Sequence, residues 1–407
     1  MTAVPIIGSS ADGLPSKPAI AFNLKFALWT IFIFITSMAI RTVGTYPTQI
    51  AWMLADLAAV GLFFRYQSQF INIFLSNLVF VSWPLIACLS ALWSIAPLLS
   101  FEHGVQLLMT MLVAFLMCIQ LRLEQLITVV FWALLLAAGL TFVSELVSPS
   151  QIIGEPGWRG NFPHKNVMGS TMAILVVTAC CLFLAGRQRL ISFAAVLLGL
   201  FLIAKSSSAA AVLSLAATLG PLPFAYAYLR GRAFSLILTG TALVVAAVGG
   251  FGLYILMIAV GIDPVDIVLN SVGKDRTLTG RTMLWDMAEE AIENRPLLGF
   301  GFKAYWTDIP AEMRVLLSTV GGVFHFHNNY LDVAVAFGFI GPILLALGVI
   351  TALWRSLRTL FFGTDAIDAW PLFIVLQATI LTFVESLLFW NHNMWQVLFI
   401  AVAVVRR

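Results

Sequence analysis

Charged residues are scarce in this chain of 407 residues, where Asp, Glu, Lys and Arg together make up 10%. Soluble globular domains carry about 25% charged residues, so the composition excludes a water-soluble enzyme. Hydrophobic residues make up 61% of the chain, and the mean hydropathy is +0.99. A net charge of +3 is too small over this length to indicate nucleic acid binding. The sequence therefore predicts a polytopic membrane protein whose apolar surplus faces lipid.

Cysteine is also rare, and all four cysteines lie inside apolar runs, at Cys88, Cys118, Cys180 and Cys181. This placement is typical of small core residues rather than of a disulfide framework. The N-terminal residues lack the short apolar core and the small-residue cleavage site of a signal peptide. We therefore expect residues 1–25 to be a cytoplasmic tail that precedes an uncleaved first span.

Apolar runs long enough to cross a bilayer predict an all-α membrane bundle of about 12 transmembrane helices. The runs are residues 26–43, 48–64, 72–93, 102–120, 125–147, 166–186, 188–204, 207–229, 233–261, 329–354, 369–389 and 393–405. With the N-terminus inside, the short cytoplasmic segments hold twelve Lys and Arg residues and the short external ones hold four. This asymmetry predicts that both termini are cytoplasmic.

Residues 262–328 form one long polar connection between spans 1–9 (residues 26–261) and spans 10–12 (residues 329–407). Long loops of this kind are usually functional. Apolar residues repeat at helical spacing from Met283 to Ile292, and Pro296 follows. A second helix is predicted to start with Asp308 as its cap and Pro310 in its first turn. The pattern predicts a helical cap over the external mouth of the bundle.

All five histidines fall at external ends of spans or in external loops, at His103, His164, His325, His327 and His392. The cytoplasmic loops contain none, which favours a shared polar site on the external side. His327 precedes the tenth predicted span, where an imidazole suits general-base chemistry on a hydroxyl. His325 and His327 are two residues apart, which suits a shared metal poorly, and we expect no metal.

Basic residues on the external side indicate an anion site. Arg159 and Lys165 flank a short donor-rich segment, and Lys205 ends the seventh predicted span. The alternative for the first two is headgroup anchoring or an ion pair with Glu155. Arg281 opens the predicted loop helix, whose N-terminus favours an anion.

Two acidic residues fall within predicted spans. Asp56, near the middle of the second span, is either a proton relay of a secondary transporter or a polar tie between helices. Glu385 lies near the external end of the eleventh span, close to His392, where it is expected to orient a basic residue of the site.

Several short motifs, taken in order, resemble those of one family. They are Arg159–Asn166, Gly280–Trp285, Pro296–Gly301, His327–Leu331, Gly338–Gly341 and Glu385–Ser386. Together they resemble the superfamily of O-antigen ligases and Wzy-type polysaccharide polymerases, and most of all its succinoglycan-type exopolysaccharide polymerases. One turn departs from the pattern, because many relatives have a Ser-Arg pair where this chain has Lys205 followed by three serines.

The resemblance implies a GT-C-like membrane glycosyltransferase of the bacterial inner membrane, with its active site on the periplasmic side. The implied donor is an oligosaccharide on undecaprenyl pyrophosphate, with no cofactor. His327 would be the general base with His325 as its helper, while Arg159, Lys165, Arg281 and Lys205 would bind the pyrophosphate.

Three further residues, His164, Asn328 and Glu385, would support this site. A flippase and a chain-length regulator are the expected partners besides the lipid bilayer, and nucleic acid is not one. A ligase that transfers glycan to lipid A-core and a secondary transporter remain as alternatives to the polymerase.

Overall fold

The computed structural model describes residues 24–38, 45–149, 157–231, 281–309 and 325–406, and their regular structure is helical, without strands. In chain order the helices are α1 (Leu24–Ser37), α2 (Thr45–Arg65), α3 (Gln67–Leu75), α4 (Leu78–Leu89), α5 (Pro97–Gln120), α6 (Leu123–Val147), α7 (Lys165–Leu184), α8 (Arg189–Ser206), α9 (Ala209–Leu219), α10 (Leu222–Leu229), α11 (Arg281–Asn294), α12 (Asn329–Phe337), α13 (Ile340–Phe361), α14 (Trp370–Leu381) and α15 (Met394–Val404). The predicted all-α class is therefore confirmed for these residues.

Fewer spans are present in the described residues than the sequence predicts. Six helical stretches are long and apolar enough to cross a membrane, namely α5, α6, α7, α8, α13 and the stretch Ala209–Leu229 formed by α9 and α10. The pair α3 and α4 would make a seventh span, although it is bent by 93°. The predicted ninth span, 233–261, lies outside the described residues. The predicted number of twelve is thus not confirmed.

The core of the bundle forms around α7, which packs against α6, α8, α9 and α14. Close approach of α4 to α13 depends on Gly348, because a Cβ there would lie 2.2 Å from Cζ2 of Trp83. The indole of Trp83 also donates a hydrogen bond of 3.1 Å to the carbonyl of Leu344 on α13. Small residues thus allow the packing and a buried indole fixes it.

The tenth and eleventh predicted spans are among those that are broken in the structure. The tenth predicted span, 329–354, is interrupted between α12 and α13 at Gly338, which has φ +62°. The eleventh predicted span, 369–389, ends already at Leu381. Residues 382–393, which we call the non-helical segment, then connect α14 to α15.

The non-helical segment depends on buried amide side chains. Asn329, which is 1% exposed, accepts the N–H groups of Leu387 (2.8 Å) and Leu388 (2.6 Å) and donates to the Leu388 carbonyl (2.9 Å). Gln396, also 1% exposed, accepts the N–H of Phe389 at 2.8 Å. Because irregular backbone away from water must find partners within the protein, these two side chains make the break possible.

The predicted loop helix is confirmed as α11, which ends before Pro296. Its apolar face buries Leu284, Ala288 and Ala291 against Ile309 and Phe326. The second predicted helix, beginning at Asp308 and Pro310, falls mostly on residues outside those described. The predicted domain boundaries remain predictions.

Candidate active site

The carboxylate of Glu385 joins three parts of the chain. Its Oε2 lies 3.0 Å from Nδ1 of His327, in the loop before α12. Its Oε1 accepts hydrogen bonds from Nη2 of Arg281 at 3.0 Å and from Nδ2 of Asn166 at 2.8 Å. The non-helical segment thereby meets the start of α11 and the first turn of α7.

These contacts keep Glu385 ionised. Burial by itself raises the pKa of this carboxyl, which is 15% exposed, but the His327 hydrogen bond and the charge of Arg281 outweigh burial. The pKa of Glu385 therefore lies at about 2, below its ordinary value of 4.5.

Because Glu385 is ionised, it stabilises only one tautomer of His327. A carboxylate can only accept hydrogen bonds, so Nδ1 of His327 must carry the proton that is shared with Oε2. In the neutral ring Nε2 then keeps its lone pair, which is the state that a general base requires. His327 has φ +51°, a left-handed conformation that costs a non-glycine residue roughly 1–2 kcal/mol. Backbone strain of this kind is concentrated at functional sites.

His325 contacts both the backbone and the ring of His327. Its Nδ1 accepts the backbone N–H of His327 at 3.2 Å, and the two ring centroids are 4.2 Å apart. Burial, followed by the neighbouring His327, lowers the pKa of His325 to about 3, so this ring is neutral at physiological pH. The geometry suits positioning of His327 better than proton transfer.

Arg281 is the basic residue that the structure places directly at Glu385. Its Nη1 also donates to the carbonyl of Val384 at 2.6 Å. These two contacts use two of the five N–H donors of the guanidinium, and its side chain is 18% exposed. Arg281 is the first residue of α11 that the structure describes.

The other predicted cations lie on the elements that flank this centre. Lys165 is the first residue of α7 and precedes Asn166, which contacts Glu385. Lys205 packs its ammonium over the rings of Trp158 (5.2 Å) and Phe201 (5.6 Å). Arg159 follows Trp158, whose N–H donates to the Lys205 carbonyl at 2.7 Å. The structure thus brings the Arg159 and Lys205 segments together beside the start of α7.

Two predicted supporting residues are helix caps. His164 Nδ1 accepts the N–H of Asn166 at 3.2 Å and begins α7. Asn328 Oδ1 accepts the N–H groups of Tyr330 and Leu331 and begins α12. These caps fix the helix ends that carry Asn166 and that follow His327.

Sequence reasoning missed a second layer around Asp332. One oxygen of Asp332 accepts the N–H of Phe326 at 3.1 Å, and the other accepts the hydroxyl of Ser386. Each of these partners is the chain neighbour of His327 or Glu385. The only sequence signal was the position of Asp332 in the first turn of the helix that follows His327.

Lys303 completes this layer. Its ammonium lies 3.1 Å from the ring centroid of Trp390, and its φ is +59°. Burial lowers its pKa to about 8, against the opposing effect of Asp332. A cavity of about 40 Å³, large enough for a water molecule, lies beside Lys303, Asp332 and Trp390.

Asp56 joins the same end of the bundle by another contact. One of its carboxylate oxygens lies 3.1 Å from Nε2 of His392, whose ring stacks on Trp52 at 4.3 Å. Of the two roles that the sequence left open for Asp56, the polar tie matches this geometry, since it connects α2 to the non-helical segment.

Comparison with known proteins agrees with these observations. A family model described as O-antigen ligase matches residues 173–346, from α7 to α13. The exopolysaccharide production protein ExoQ of Rhizobium meliloti (strain 1021) is 32% identical over 299 residues, which cover 70% of this chain. The chain belongs to the O-antigen ligase family. The family that the motifs predict is therefore confirmed.

The match to the family model includes part of the candidate active site. In this member of the O-antigen ligase family, Arg281 and His327 lie inside the residues that match the family model, and Glu385 lies beyond them. The aligned region covers 66% of ExoQ, just under two thirds of its length.

Proposed function

We propose that this chain is a membrane glycosyltransferase that polymerises undecaprenyl-pyrophosphate-linked oligosaccharide repeat units into exopolysaccharide or O-antigen. The reaction would take place at the periplasmic face of a bacterial inner membrane, with both termini in the cytoplasm. Family membership and the likeness to ExoQ support this class of activity. The observation that carries the proposal is the His327–Glu385 pair, whose free ring nitrogen suits a base for a hydroxyl group.

In the proposed reaction Nε2 of His327 takes the proton from the acceptor hydroxyl. The acceptor oxygen forms a bond to the anomeric carbon of the donor sugar. The bond from that carbon to the pyrophosphate oxygen breaks, and its electron pair leaves on undecaprenyl pyrophosphate. A single displacement of this kind inverts the anomeric configuration, and Glu385 stabilises the imidazolium that forms.

The leaving pyrophosphate needs positive charge around it. Arg281 offers its remaining N–H donors, and we assign Arg159, Lys165 and Lys205 to the same task. Arginine suits phosphate oxygens because its planar fork binds two of them at once. The proposed chemistry needs no cofactor, and a flippase and a chain-length regulator are its expected partners.

Surface polysaccharide size tests the proposal. A deletion strain is complemented with wild type, His327→Ala, Arg281→Ala or the control Arg187→Ala, and polymer length is read on a gel. Arg187 is a matched control because it is exposed and pairs only loosely, at 3.4 Å, with Glu124. We expect single repeat units with the first two variants and normal polymer with the control. Normal polymer length in His327→Ala would contradict the proposal.

A ligase is the second candidate, because the matching family model carries that description. It would use the same donor and the same centre, but its acceptor would be lipid A-core. The same gel separates the two functions. If the deletion strain accumulates long polymer on the lipid carrier and none on lipid A-core, the chain is a ligase.

A further inference from the structure

A second polar cluster includes the two residues that follow Trp390 in the chain. It consists of Asp56 on α2, Glu102, His103 and Gln106 on α5, and Asn391 and His392 of the non-helical segment. The residues of the proposed transfer reaction do not include any of them. Asp56 and His392 are 19% and 21% exposed, much like Glu385 and His327 at 15% and 22%.

The cluster is connected by side-chain hydrogen bonds. Gln106 Oε1 accepts from Asn391 Nδ2 at 2.5 Å and lies 3.1 Å from Nδ1 of His103, and its amide donates to Glu102 at 3.3 Å. The backbone N–H of His392 donates to Thr110 at 2.9 Å. The amide and imidazole groups are thus held in place before any ligand arrives, which lowers the entropy cost of binding.

The charge of this cluster differs from that of the first centre. Its charged side chains are two carboxylates, Asp56 and Glu102, and Lys303, which packs on Trp390, lies close enough to act on His103. Two carboxylates suit a pyrophosphate poorly. Sugar hydroxyls both donate and accept hydrogen bonds, and therefore suit a carboxylate beside amides and imidazoles.

Ring contacts connect the second polar cluster to the base. The His327 and His325 centroids are 4.2 Å apart, and those of His325 and Trp390 are 5.5 Å apart. Trp390 directly precedes Asn391 and His392 in the chain. A saccharide that presents one hydroxyl to His327 can therefore extend past Trp390 to this cluster, since aromatic faces and amides are both suited to sugar rings.

We infer that the second polar cluster is the subsite that binds the acceptor saccharide, a neutral, hydroxyl-rich oligosaccharide, during the proposed transfer. This inference rests on the proposed function, because it names where the second substrate of that reaction binds. The donor pyrophosphate binds at the cationic centre around Arg281, and the acceptor sugar binds at the carboxylate and amide centre around Asp56.

Binding measurements on the full chain in nanodiscs test the inference. One probe is the free repeat-unit oligosaccharide, released by mild acid from the lipid carrier of a strain that lacks this protein. The other probe is undecaprenyl pyrophosphate. The variants are Asp56→Asn and Gln106→Ala, and Gln69→Ala is the matched control because Gln69 is exposed on α3.

We expect each cluster variant to raise the Kd for the oligosaccharide about tenfold, the loss expected from a hydrogen bond to a charged or preorganised group. The Kd for undecaprenyl pyrophosphate should not change, which also shows that the variants are folded, and Gln69→Ala should change neither Kd. An unchanged Kd for the oligosaccharide in both variants would overturn the inference. An equal loss of binding for both probes would overturn it too, because the cluster would then belong to the donor site.

Polymer formation tests the proposed function separately from the saccharide subsite. If wild type binds the oligosaccharide and the variants do not, but wild type forms no polymer from lipid-linked units, the saccharide subsite stands and the polymerase proposal fails. If polymer forms but the Kd for the oligosaccharide is unchanged in Asp56→Asn and Gln106→Ala, the polymerase proposal stands and the saccharide subsite fails.

Discussion

Glu385→Gln is the sharpest perturbation of the proposed centre, because it keeps the shape of the side chain and removes its charge. The wild-type pKa of about 2, against an ordinary 4.5, corresponds to ~3 kcal/mol of extra stabilisation of the charged form. The pH dependence of this stabilisation follows from the direction of the pKa shift. This stabilisation is complete above pH 4.5 and is lost only as the pH falls toward 2, so Glu385 adds no pH dependence between pH 5 and 9.

The effect of Glu385→Gln on catalysis follows from hydrogen-bond roles. An amide nitrogen donates, so if it faces Nδ1 of His327 the ring proton must move to Nε2, where it occupies the lone pair of the base. If the amide turns over, its N–H₂ group faces the donors of Arg281 and Asn166 instead. The first orientation removes the lone pair of the base. The second keeps that lone pair but loses the negative charge that stabilises the imidazolium and the contacts with Arg281 and Asn166. We therefore expect the rate of sugar transfer to fall by about 10²- to 10⁴-fold.

The assay is single-turnover polymerisation in nanodiscs with lipid-linked repeat units, together with binding of undecaprenyl pyrophosphate. Binding should persist in Glu385→Gln, which shows that the loss of rate is not a loss of folding. Glu385→Asp keeps the charge and should retain more activity than Glu385→Gln. A Gln variant within about tenfold of the wild-type rate would refute the assignment of Glu385 and His327 as a base pair.

Three further changes test the scaffold by thermal unfolding in detergent. Asn329→Ala leaves two N–H groups of the non-helical segment without acceptors, and should cost ~1–3 kcal/mol for each and abolish polymerisation. Lys303→Met removes an ammonium whose charged form destabilises the fold below pH 8, because its pKa is about 8 rather than 10.5. Wild type should therefore gain stability relative to Lys303→Met by up to ~1.4 kcal/mol per pH unit between pH 8 and pH 10.5, and a difference that is independent of pH would contradict this reasoning. Gly348→Val should cost at least ~1–3 kcal/mol by overlap with Trp83, whereas the control Gly61→Val, with nothing within 4 Å of its new Cβ, should cost little.

The length of apolar runs predicts uninterrupted helices well. The run 125–147 corresponds to α6 (Leu123–Val147), 166–186 to α7, and 393–405 to α15. Such a helix satisfies its own backbone, so local sequence is enough to find it. The same criterion extended the eleventh span to 389, although α14 ends at Leu381. The break depends on hydrogen bonds from Asn329, which is 58 positions from Leu387 and therefore invisible to any local window.

Residue types predict which side chains form the candidate active site better than they predict the contacts among those side chains. The motifs single out His327, Arg281 and Glu385, and the structure brings these three together at 3.0 Å contacts. The first turn of α7 joins them through Asn166, which belonged to a motif but had no assigned role. Asp332 was missed because its role is to hold the chain neighbours of other residues, and such a role has no local signature. Lys303 was missed for a similar reason, since its partner Trp390 is far away in the sequence.

The non-helical segment explains how one short stretch of chain serves both polar centres. In an α-helix, residues seven apart lie on nearly the same face, so Glu385 and His392 would point to the same neighbours. In the structure Glu385 contacts α7 and α11, whereas His392 contacts α2 and α5. Left-handed conformations at Phe389 (φ +54°) and His392 (φ +55°) change the direction of the chain between them, at roughly 1–2 kcal/mol each. The buried hydrogen bonds of Asn329 and Gln396, at about 1 kcal/mol apiece, offset much of that strain. Unwinding therefore allows Glu385 to face α7 and α11 while His392 faces α2 and α5.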